Sequence, residues 1–150
     1  MTVEEFWTDF LRETGRNPDK HYLESFHFDL NEKSANELLE LVLSGKKRAT
    51  ASSLLAYEKE RSNAPKVGDL SIVTDWDGVP RCVIETTAVT IYKFRDITFD
   101  ICKREGEDEC LETWREGHAR YFTEDGRELG YEFSEDMPVL FEDFEVVYSK

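Results

Sequence analysis

The stretch Leu43-Ser44-Gly45-Lys46-Lys47-Arg48-Ala49-Thr50-Ala51-Ser52 carries the strongest signal in this chain. It follows an apolar helical pattern, and Gly45 can adopt the left-handed conformation that ends a helix. Lys47 and Thr50 follow the end of this helix and are three residues apart. An amine beside a hydroxyl can act as an acid/base and nucleophile pair. Because side chains alternate faces along a regular strand, the two can converge only on an irregular backbone.

The composition around this stretch is typical of a single folded domain spanning residues 1–150. A chain of 150 residues can bury roughly 70% of the surface that its unfolded form exposes. Hydrophobic residues make up 39% of the chain and aromatic residues 13%. There is no linker-like segment and no internal repeat, so we expect one domain that folds alone.

The formal net charge of -14 constrains the ligand. Repulsion between this charge and phosphates opposes binding to double-stranded DNA or RNA, so the composition favours a small ligand. Residues 100–150 hold 16 Asp and Glu against 6 Lys and Arg, whereas residues 1–99 hold 17 against 13. We therefore expect any surface that faces a polyanion to use the first two thirds of the chain.

The sequence also predicts the compartment and the state of the cysteines. No segment approaches the roughly 18 consecutive apolar residues of a membrane span, and the amino terminus is acidic and amphipathic. We therefore expect a cytoplasmic protein without a membrane partner. Cys82, Cys102 and Cys110 form neither an even set nor a Cys-x-x-Cys pair, which predicts reduced thiols rather than disulfides or a zinc site.

Periodicity and turn signals predict the elements. Helical spacing predicts helices near residues 3–15, 34–45, 52–61, 99–104 and 111–122. Strands are predicted near residues 22–28, 70–74, 81–90, 91–94, 131–133 and 139–148. Short, mostly sequential strands interrupted by helices favour the α+β class, as a small mixed, mostly antiparallel β-barrel decorated by helices.

The motif Gly-x-Lys-x-x-Thr at Gly45, Lys47 and Thr50 resembles that of the ASCH family, small proteins related to the RNA-binding PUA domain. The resemblance covers nearly the whole chain and implies a PUA-like β-barrel. Four further segments resemble a longer branch of bacterial ASCH proteins: Pro65-Lys66-Val67-Gly68-Asp69, Asp77-Gly78-x-Pro80-Arg81-Cys82, Glu105-Gly106-Glu107 and Trp114-Arg115-x-x-His118.

This resemblance implies a chemistry. Some ASCH proteins are amidohydrolases that remove the acetyl group from N4-acetylcytidine with a Lys, a Thr and a Glu, and Lys47, Thr50 and Glu105 match these positions. Loss of hydration in a partly closed pocket would lower the pKa of Lys47, so that a neutral amine could take the proton of a Thr50 nucleophile. Glu105 would activate water or orient the amine. No cofactor is expected.

Five residues are predicted to bind the substrate: Lys46, Arg48, Ser52, Trp114 and His118. Basic residues concentrate around the proposed pocket and could hold a phosphate or single-stranded RNA; they are Lys46, Lys47, Arg48, Lys59, Arg61 and Lys66. Trp114 and His118 are four residues apart and share one helix face, so the indole could stack on a base while the imidazole donates a hydrogen bond. Alternatively, Trp114 packs its helix onto the barrel.

The function thus has three candidate forms at this stage. The favoured form is a nucleoside amidohydrolase acting on a modified cytidine. A second is a non-catalytic module that binds RNA, and a third is a metal-dependent ribonuclease, an activity found in one type of ASCH protein. The acidic run Glu105, Glu107, Asp108 and Glu109 could hold a hard divalent cation or form a solvated loop. His21 and His27 lack zinc-binding spacing, and no metal ligand is assigned.

Overall fold

The computed structural model describes residues 1–150 and shows a mixed α+β domain, as predicted. The helices are α1 (Val3–Thr14), α2 (Glu32–Leu43), α3 (Leu54–Glu60), α4 (Phe99–Cys102) and α5 (Leu111–Leu129). The strands are β1 (Ser25–Phe26), β2 (Ala49–Ser53), β3 (Leu70–Thr74), β4 (Pro80–Lys93) and β5 (Pro138–Ser149). Single 3₁₀ turns at Phe94–Asp96 and Lys103–Glu105 flank α4.

The five strands form one open mixed sheet in the order β1-β3-β4-β5-β2. β1 runs parallel to β3, and every other neighbouring pair is antiparallel. The two edge strands, β1 and β2, do not pair with each other, so the sheet does not close into the predicted barrel. β1 has only two residues and offers too few backbone hydrogen bonds to complete a barrel wall.

Local signals account for where the first two helices begin. The sequence Thr2-Val3-Glu4-Glu5 has the pattern of a capping box, and α1 begins with one: the Thr2 hydroxyl accepts a hydrogen bond from the Glu5 amide, and the Glu5 carboxylate accepts one from the Thr2 amide. α2 begins earlier than predicted because the Asn31 side chain caps it by accepting a 2.9 Å hydrogen bond from the Ser34 amide.

Several predicted strand boundaries were wrong. The strand expected over residues 22–28 shrinks to Ser25–Phe26, and the strands expected at 81–90 and 91–94 form one long strand, β4. The strand expected at 131–133 is absent. The Tyr131 amide instead donates a 3.0 Å hydrogen bond to the Gly126 carbonyl and so helps to close α5, which extends to Leu129.

Three hydrophobic clusters attach the long helices to the sheet. α1 packs its apolar face over β3 and β4, α2 packs over the same strands and β5, and α5 packs against the segments around α4 and β5. The largest fully buried side chains of the helices are Phe6, Phe10, Leu39, Trp114 and Phe122. In none of the helices does an apolar stretch reach the length that a bilayer crossing requires.

Helix α5 contains two glycines in different surroundings, and they give a test of this packing. A Cβ at Gly126 would clash with the backbone oxygen of Tyr131, whereas a Cβ at Gly117 would meet nothing within 4 Å. We expect Gly126→Ala to lower the free energy of unfolding by about 2 kcal/mol or more, and Gly117→Ala to raise it by up to about 1 kcal/mol. Denaturant titrations of the two variants measure the difference, and equal stabilities would contradict the packing described here.

Candidate active site

A cavity of about 630 Å³ lies between the sheet and helices α2, α3 and α5. Five of the eight residues singled out from the sequence line it, namely Lys47, Thr50, Ser52, Glu105 and His118. The cavity wall also includes aromatic side chains, among them Phe26, Phe28, Tyr57 and Tyr121. The fold therefore brings most of the candidate residues to one concave site.

The exit of α2 positions Lys47. Gly45 has a φ of +81°, which a residue with a side chain rarely adopts. The reversal lets the amides of Lys46 and Lys47 both donate to the Leu41 carbonyl at 3.0 Å. Lys47 thus precedes β2, which begins at Ala49. Its side chain is not bound by strand alternation and points to the cavity that Thr50 lines, in agreement with the irregular backbone that the sequence argument required.

The Lys47 side chain is 2% exposed, and protein oxygens surround its ammonium group. Nζ donates to the carbonyl of Ala49 at 2.8 Å, to Oε2 of Glu107 at 2.6 Å and to Oε2 of Glu105 at 3.3 Å. Nζ also lies 5.2 Å from the centre of the Phe28 ring, within the range of a cation–π contact. An ammonium group with this many partners is held in one position.

Glu105 is the common acceptor behind Lys47. Its other oxygen, Oε1, accepts a 2.9 Å hydrogen bond from the Trp114 indole and lies 3.3 Å from Nε2 of His118. His118 stacks on Trp114 with ring centroids 4.1 Å apart, and its Nδ1 lies 2.9 Å from the Trp114 carbonyl. Glu105 is 1% exposed. It thus holds Lys47 and His118 in place from below the cavity surface.

The prediction that Trp114 stacks on a substrate base was wrong. The indole is fully buried and does not line the cavity. Its ring packs against Phe94 and its N–H is taken by Glu105, so it has neither a free face nor a free donor for a ligand. The alternative interpretation, that Trp114 packs its helix, is the one that the structure supports.

Gly106 allows the two glutamates beside it to approach Lys47. Its φ is +71°, and a Cβ at this position would clash with the backbone oxygen of Lys46. The close approach of these two segments lets both Glu105 and Glu107 reach the same ammonium group. The sequence signal for Glu107 was its place in the Glu105-Gly106-Glu107 segment, although it was not among the predicted site residues.

Electrostatics contradict the expected neutral amine. Burial alone would lower the pKa of Lys47, but the negative charge of Glu105, joined by that of Glu107 when Glu107 is ionised, outweighs this effect, and the pKa is raised. Loss of hydration also disfavours the charged forms of Glu105 and His118, so that by itself it would raise the pKa of Glu105 and lower that of His118. The Lys47 and His118 charges nevertheless hold the pKa of Glu105 well below its usual range, and Glu105 raises the pKa of His118. Lys47 is therefore an ammonium ion and not a base.

Glu107 differs from Glu105 although it lies closer to the Lys47 ammonium. Loss of hydration and the neighbouring charge of Glu105 outweigh the attraction of Lys47 and raise the pKa of Glu107 to about 8. Its side chain retains 20% of its exposure and lines the cavity. At neutral pH this carboxyl group can carry a proton at the cavity surface.

Glu142, which was not among the predicted site residues, lies beside Thr50 on the neighbouring strand. The two residues are partners in the antiparallel ladder of β2 and β5, so their side chains project from the same face. Oε2 of Glu142 accepts a 2.6 Å hydrogen bond from Thr86. Burial is the main cause that raises the pKa of Glu142 to about 7. Its proximity to Thr50 depends on strand register, which the sequence does not show.

The predicted basic rim does not face the cavity. Lys46 and Arg48 are exposed and lie outside the lining. Three further basic residues lie outside the lining as well: Lys59 near the carboxyl end of α3, and Arg61 and Lys66 after it. Lys47 is the only Lys or Arg in the lining, against nine Asp and Glu residues. The cavity is therefore acidic, contrary to the prediction.

The chain was compared with known proteins in the light of this geometry. A sequence model of the ASCH domain matches residues 24–148. The chain belongs to the ASCH domain family. The matched range includes all eight candidate residues as well as Glu107 and Glu142. Comparison with curated protein sequences gives no match.

Two solved structures support the assignment. An ASCH domain from Lactobacillus crispatus JV V101 shares 36% identity, with a TM-score of 0.82, and the alignment covers 97% of this chain and 91% of that one. Protein EF3133 from Enterococcus faecalis V583 shares 34% identity, with a TM-score of 0.88, over 97% of this chain and 87% of that one. The ASCH fold thus extends over nearly the entire chain, including α1.

Three of the polar groups in this ASCH domain have the spacing of metal ligands. Ligand atoms of Glu105, Glu107 and His118 all lie within 4.8 Å of one another. The Lys47 ammonium contacts both glutamates and supplies positive charge to the set. We assign no metal ligand to these residues.

The ion-pair set predicts a large effect of removing its cation. Lys47→Met leaves two largely buried carboxyl groups without their ammonium partner, and we expect a loss of about 3 kcal/mol or more in the free energy of unfolding. Lys46→Met is the matched control because its side chain is exposed, and its expected effect is below about 0.5 kcal/mol. Similar losses in the two variants would contradict the description of Lys47 as the buried centre of the set.

Glu142 predicts a pH dependence of stability. Because its pKa in the folded protein is raised to about 7, the folded state binds its proton more tightly than the unfolded state does. The resulting stabilisation is complete below the unfolded pKa and is lost as pH rises through about 7. We expect the free energy of unfolding of the wild type to fall by on the order of 2 to 3 kcal/mol between pH values of about 4 and 8 because of Glu142, and we expect Glu142→Gln not to show this fall.

Denaturant midpoints of the wild type, Glu142→Gln and Glu145→Gln at the two pH values measure this contribution. Glu145 lies on the same strand but is exposed, so its variant should keep the wild-type pH dependence. An unchanged pH dependence in Glu142→Gln would contradict the assignment of this titration to Glu142.

Proposed function

We propose that this ASCH domain hydrolyses an amide bond of a small molecule, with modified cytidines such as N4-acetylcytidine as the first substrates to test. One observation carries the proposal. The Lys47 ammonium and the Thr50 hydroxyl line the same cavity. Glu142, the cross-strand partner of Thr50, lines it as well and has its pKa raised to about 7. A positive charge, a nucleophile and a proton acceptor are the groups that acyl transfer requires.

The raised pKa values change the roles that the family resemblance implied. In the proposed mechanism Thr50 attacks the amide carbon, and its hydroxyl proton passes to Glu142, directly or through one water molecule. The N–H groups of Lys47 are taken by protein oxygens, so its ammonium contributes through its positive charge near the carbonyl oxygen on which negative charge develops. The C–N bond then breaks as the leaving amine takes a proton, for which Glu107, with a pKa of about 8, is a suitable donor. Water then attacks the ester carbon and gives a proton to Glu107, and as the bond between Thr50 and the acyl group breaks, Thr50 takes the proton that Glu142 holds and the acid is released.

Glu105 acts through other residues in this scheme. It is buried and its oxygens are taken by Lys47, Trp114 and His118, so it positions the ammonium and does not touch the substrate. The nucleoside part of the proposal comes from the family resemblance. Phe26, Tyr57 and Tyr121 line the cavity and offer the aromatic faces on which a base can stack.

The acidic lining favours a nucleoside over a nucleotide or RNA. Nine carboxyl-bearing residues and one lysine line the cavity, so a phosphate entering it would meet repulsion. RNA would have to use the exposed rim formed by Lys46, Arg48, Lys59, Arg61 and Lys66, which is outside the cavity. Double-stranded nucleic acid is opposed further by the net charge of -14.

Release of acetate from N4-acetylcytidine tests the proposal. We expect turnover that a chelator does not abolish, and losses on the order of 100-fold or more in kcat/KM for Thr50→Val and Glu142→Gln. In the wild type, kcat/KM should fall as pH drops below about 7, where Glu142 gains a proton. Thr90→Ala is the control, since Thr90 is an exposed strand threonine.

Two results would contradict the proposal. Retained activity in both Thr50→Val and Glu142→Gln would refute the mechanism. Absence of nucleoside turnover together with tight binding to single-stranded RNA would instead support a recognition module. Such binding should weaken with salt by a log-log slope of about -0.7 for each phosphate neutralised. RNA cleavage that a chelator abolishes would support the ribonuclease alternative.

A further inference from the structure

Three carboxylates of the cavity lining have no cationic partner. Glu24 lies just before β1, Glu60 ends α3 and Glu142 lies on β5, and all three line the cavity. None of them forms an ion pair, whereas thirteen ion-pair contacts occur elsewhere in the protein. The only Lys or Arg of the lining, Lys47, is engaged with Glu105 and Glu107. The lining therefore has an excess of negative charge.

Glu142 is the member that points to a ligand. It is 7% exposed, and burial of a carboxylate is costly unless opposite charge or hydrogen bonds compensate it. Thr86 donates to Oε2, and Oε1 has no hydrogen-bond partner in the protein. Because no fully buried side-chain oxygen lacks a partner, Oε1 is accessible from the cavity. A buried carboxylate thus presents one open oxygen to the cavity, without a counter-ion.

The titration behaviour agrees with this geometry. Loss of hydration and then the charge of Glu60 raise the pKa of Glu24. Burial is the main cause that raises the pKa of Tyr57 to about 12, and the charges of Glu24, Glu142 and Glu60 add to it. The charges of all three carboxylates thus act on one tyrosine of the same lining, and a cation bound there would relieve their mutual repulsion.

We propose that Glu24, Glu60 and Glu142 supply the negative charge of a subsite for a positively charged group of the ligand, with the Tyr57 ring beside it. Glu24 and Glu60, which are exposed at the cavity, contact the group, and the open oxygen of Glu142 stays free to take the Thr50 proton. The charge of an organic ammonium is attracted both by carboxylates and by an aromatic ring. This deepens the proposed function and rests on it for the amide: among amides, the site favours those that carry an ammonium group, which N4-acetylcytidine lacks. The subsite itself depends only on the cavity and its charges.

A matched series of three amides tests the subsite. N-acetylputrescine, N-butylacetamide and 4-acetamidobutanoate share the acetamide group and a four-carbon chain but end in an ammonium, a methyl and a carboxylate group. Calorimetric titration at about pH 8, with a chelator present, keeps Glu142 mostly ionised. We expect N-acetylputrescine to bind at least tenfold more tightly than N-butylacetamide, and 4-acetamidobutanoate to bind more weakly than either.

A double variant and a charge-matched control locate the preference. Glu60→Gln with Glu142→Gln should reduce the preference for the ammonium to less than about twofold. Glu58→Gln with Glu145→Gln changes the net charge equally, in the same helix and strand, at exposed residues outside the lining, and it should retain the preference. Glu60→Gln alone, at an exposed position, should retain the fold and should bind N-acetylputrescine about threefold more weakly.

The outcomes separate the subsite from the proposed reaction. Equal binding of the three amides, binding of none of them, or the same loss in the control variant would overturn the subsite. Acetate release is measured in parallel on the amides and on N4-acetylcytidine. Selective binding of the ammonium ligand without acetate release from any of them would leave the subsite standing and overturn the amidohydrolase proposal. Hydrolysis without any preference for the ammonium would do the reverse.

Discussion

The buried ammonium of Lys47 is the constraint on which the site depends. A lone cation in this position would lose its hydration at high cost, and it is stable only because protein oxygens replace the water. The partners come from two separate parts of the chain: the Ala49 carbonyl from β2, and Glu105 and Glu107 from the segment after α4. The ammonium therefore ties the exit of α2 to a segment almost sixty residues later in the chain.

The same requirement extends one layer further. Glu105 is almost fully buried, and burying its carboxylate without hydrogen-bond donors would cost free energy. Helix α5 supplies such donors through Trp114 and His118. Trp114 and His118 are four residues apart in α5, so their rings stack on one helix face and both can donate to Glu105. The spacing that suggested a base-stacking platform in the sequence thus fulfils a structural need, because the indole N–H and the imidazole both point to a carboxylate.

Two opposing effects decide the chemistry of the cavity. Burial favours neutral forms of all its ionisable groups, and neighbouring charges favour or oppose ionisation according to sign. For Lys47 the two nearby carboxylates win and the amine stays charged. For Glu142 no close cation compensates, and the pKa rises to about 7. One cavity therefore holds a permanent cation and carboxyl groups that titrate near neutrality, a separation that acid/base chemistry uses.

The sequence by itself determined the α+β class, the capped start of α1, the exit of α2 at Gly45, and the segments that contain Lys47, Thr50, Glu105 and His118. These features depend on local backbone preferences and on motifs, which are readable within a few residues. Only the tertiary structure decided the open sheet, the burial of Trp114, the pairing of Thr50 with Glu142 and the sign of the Lys47 pKa shift. Strand register and the balance between burial and charge depend on residues distant in the chain, so no local pattern reports them.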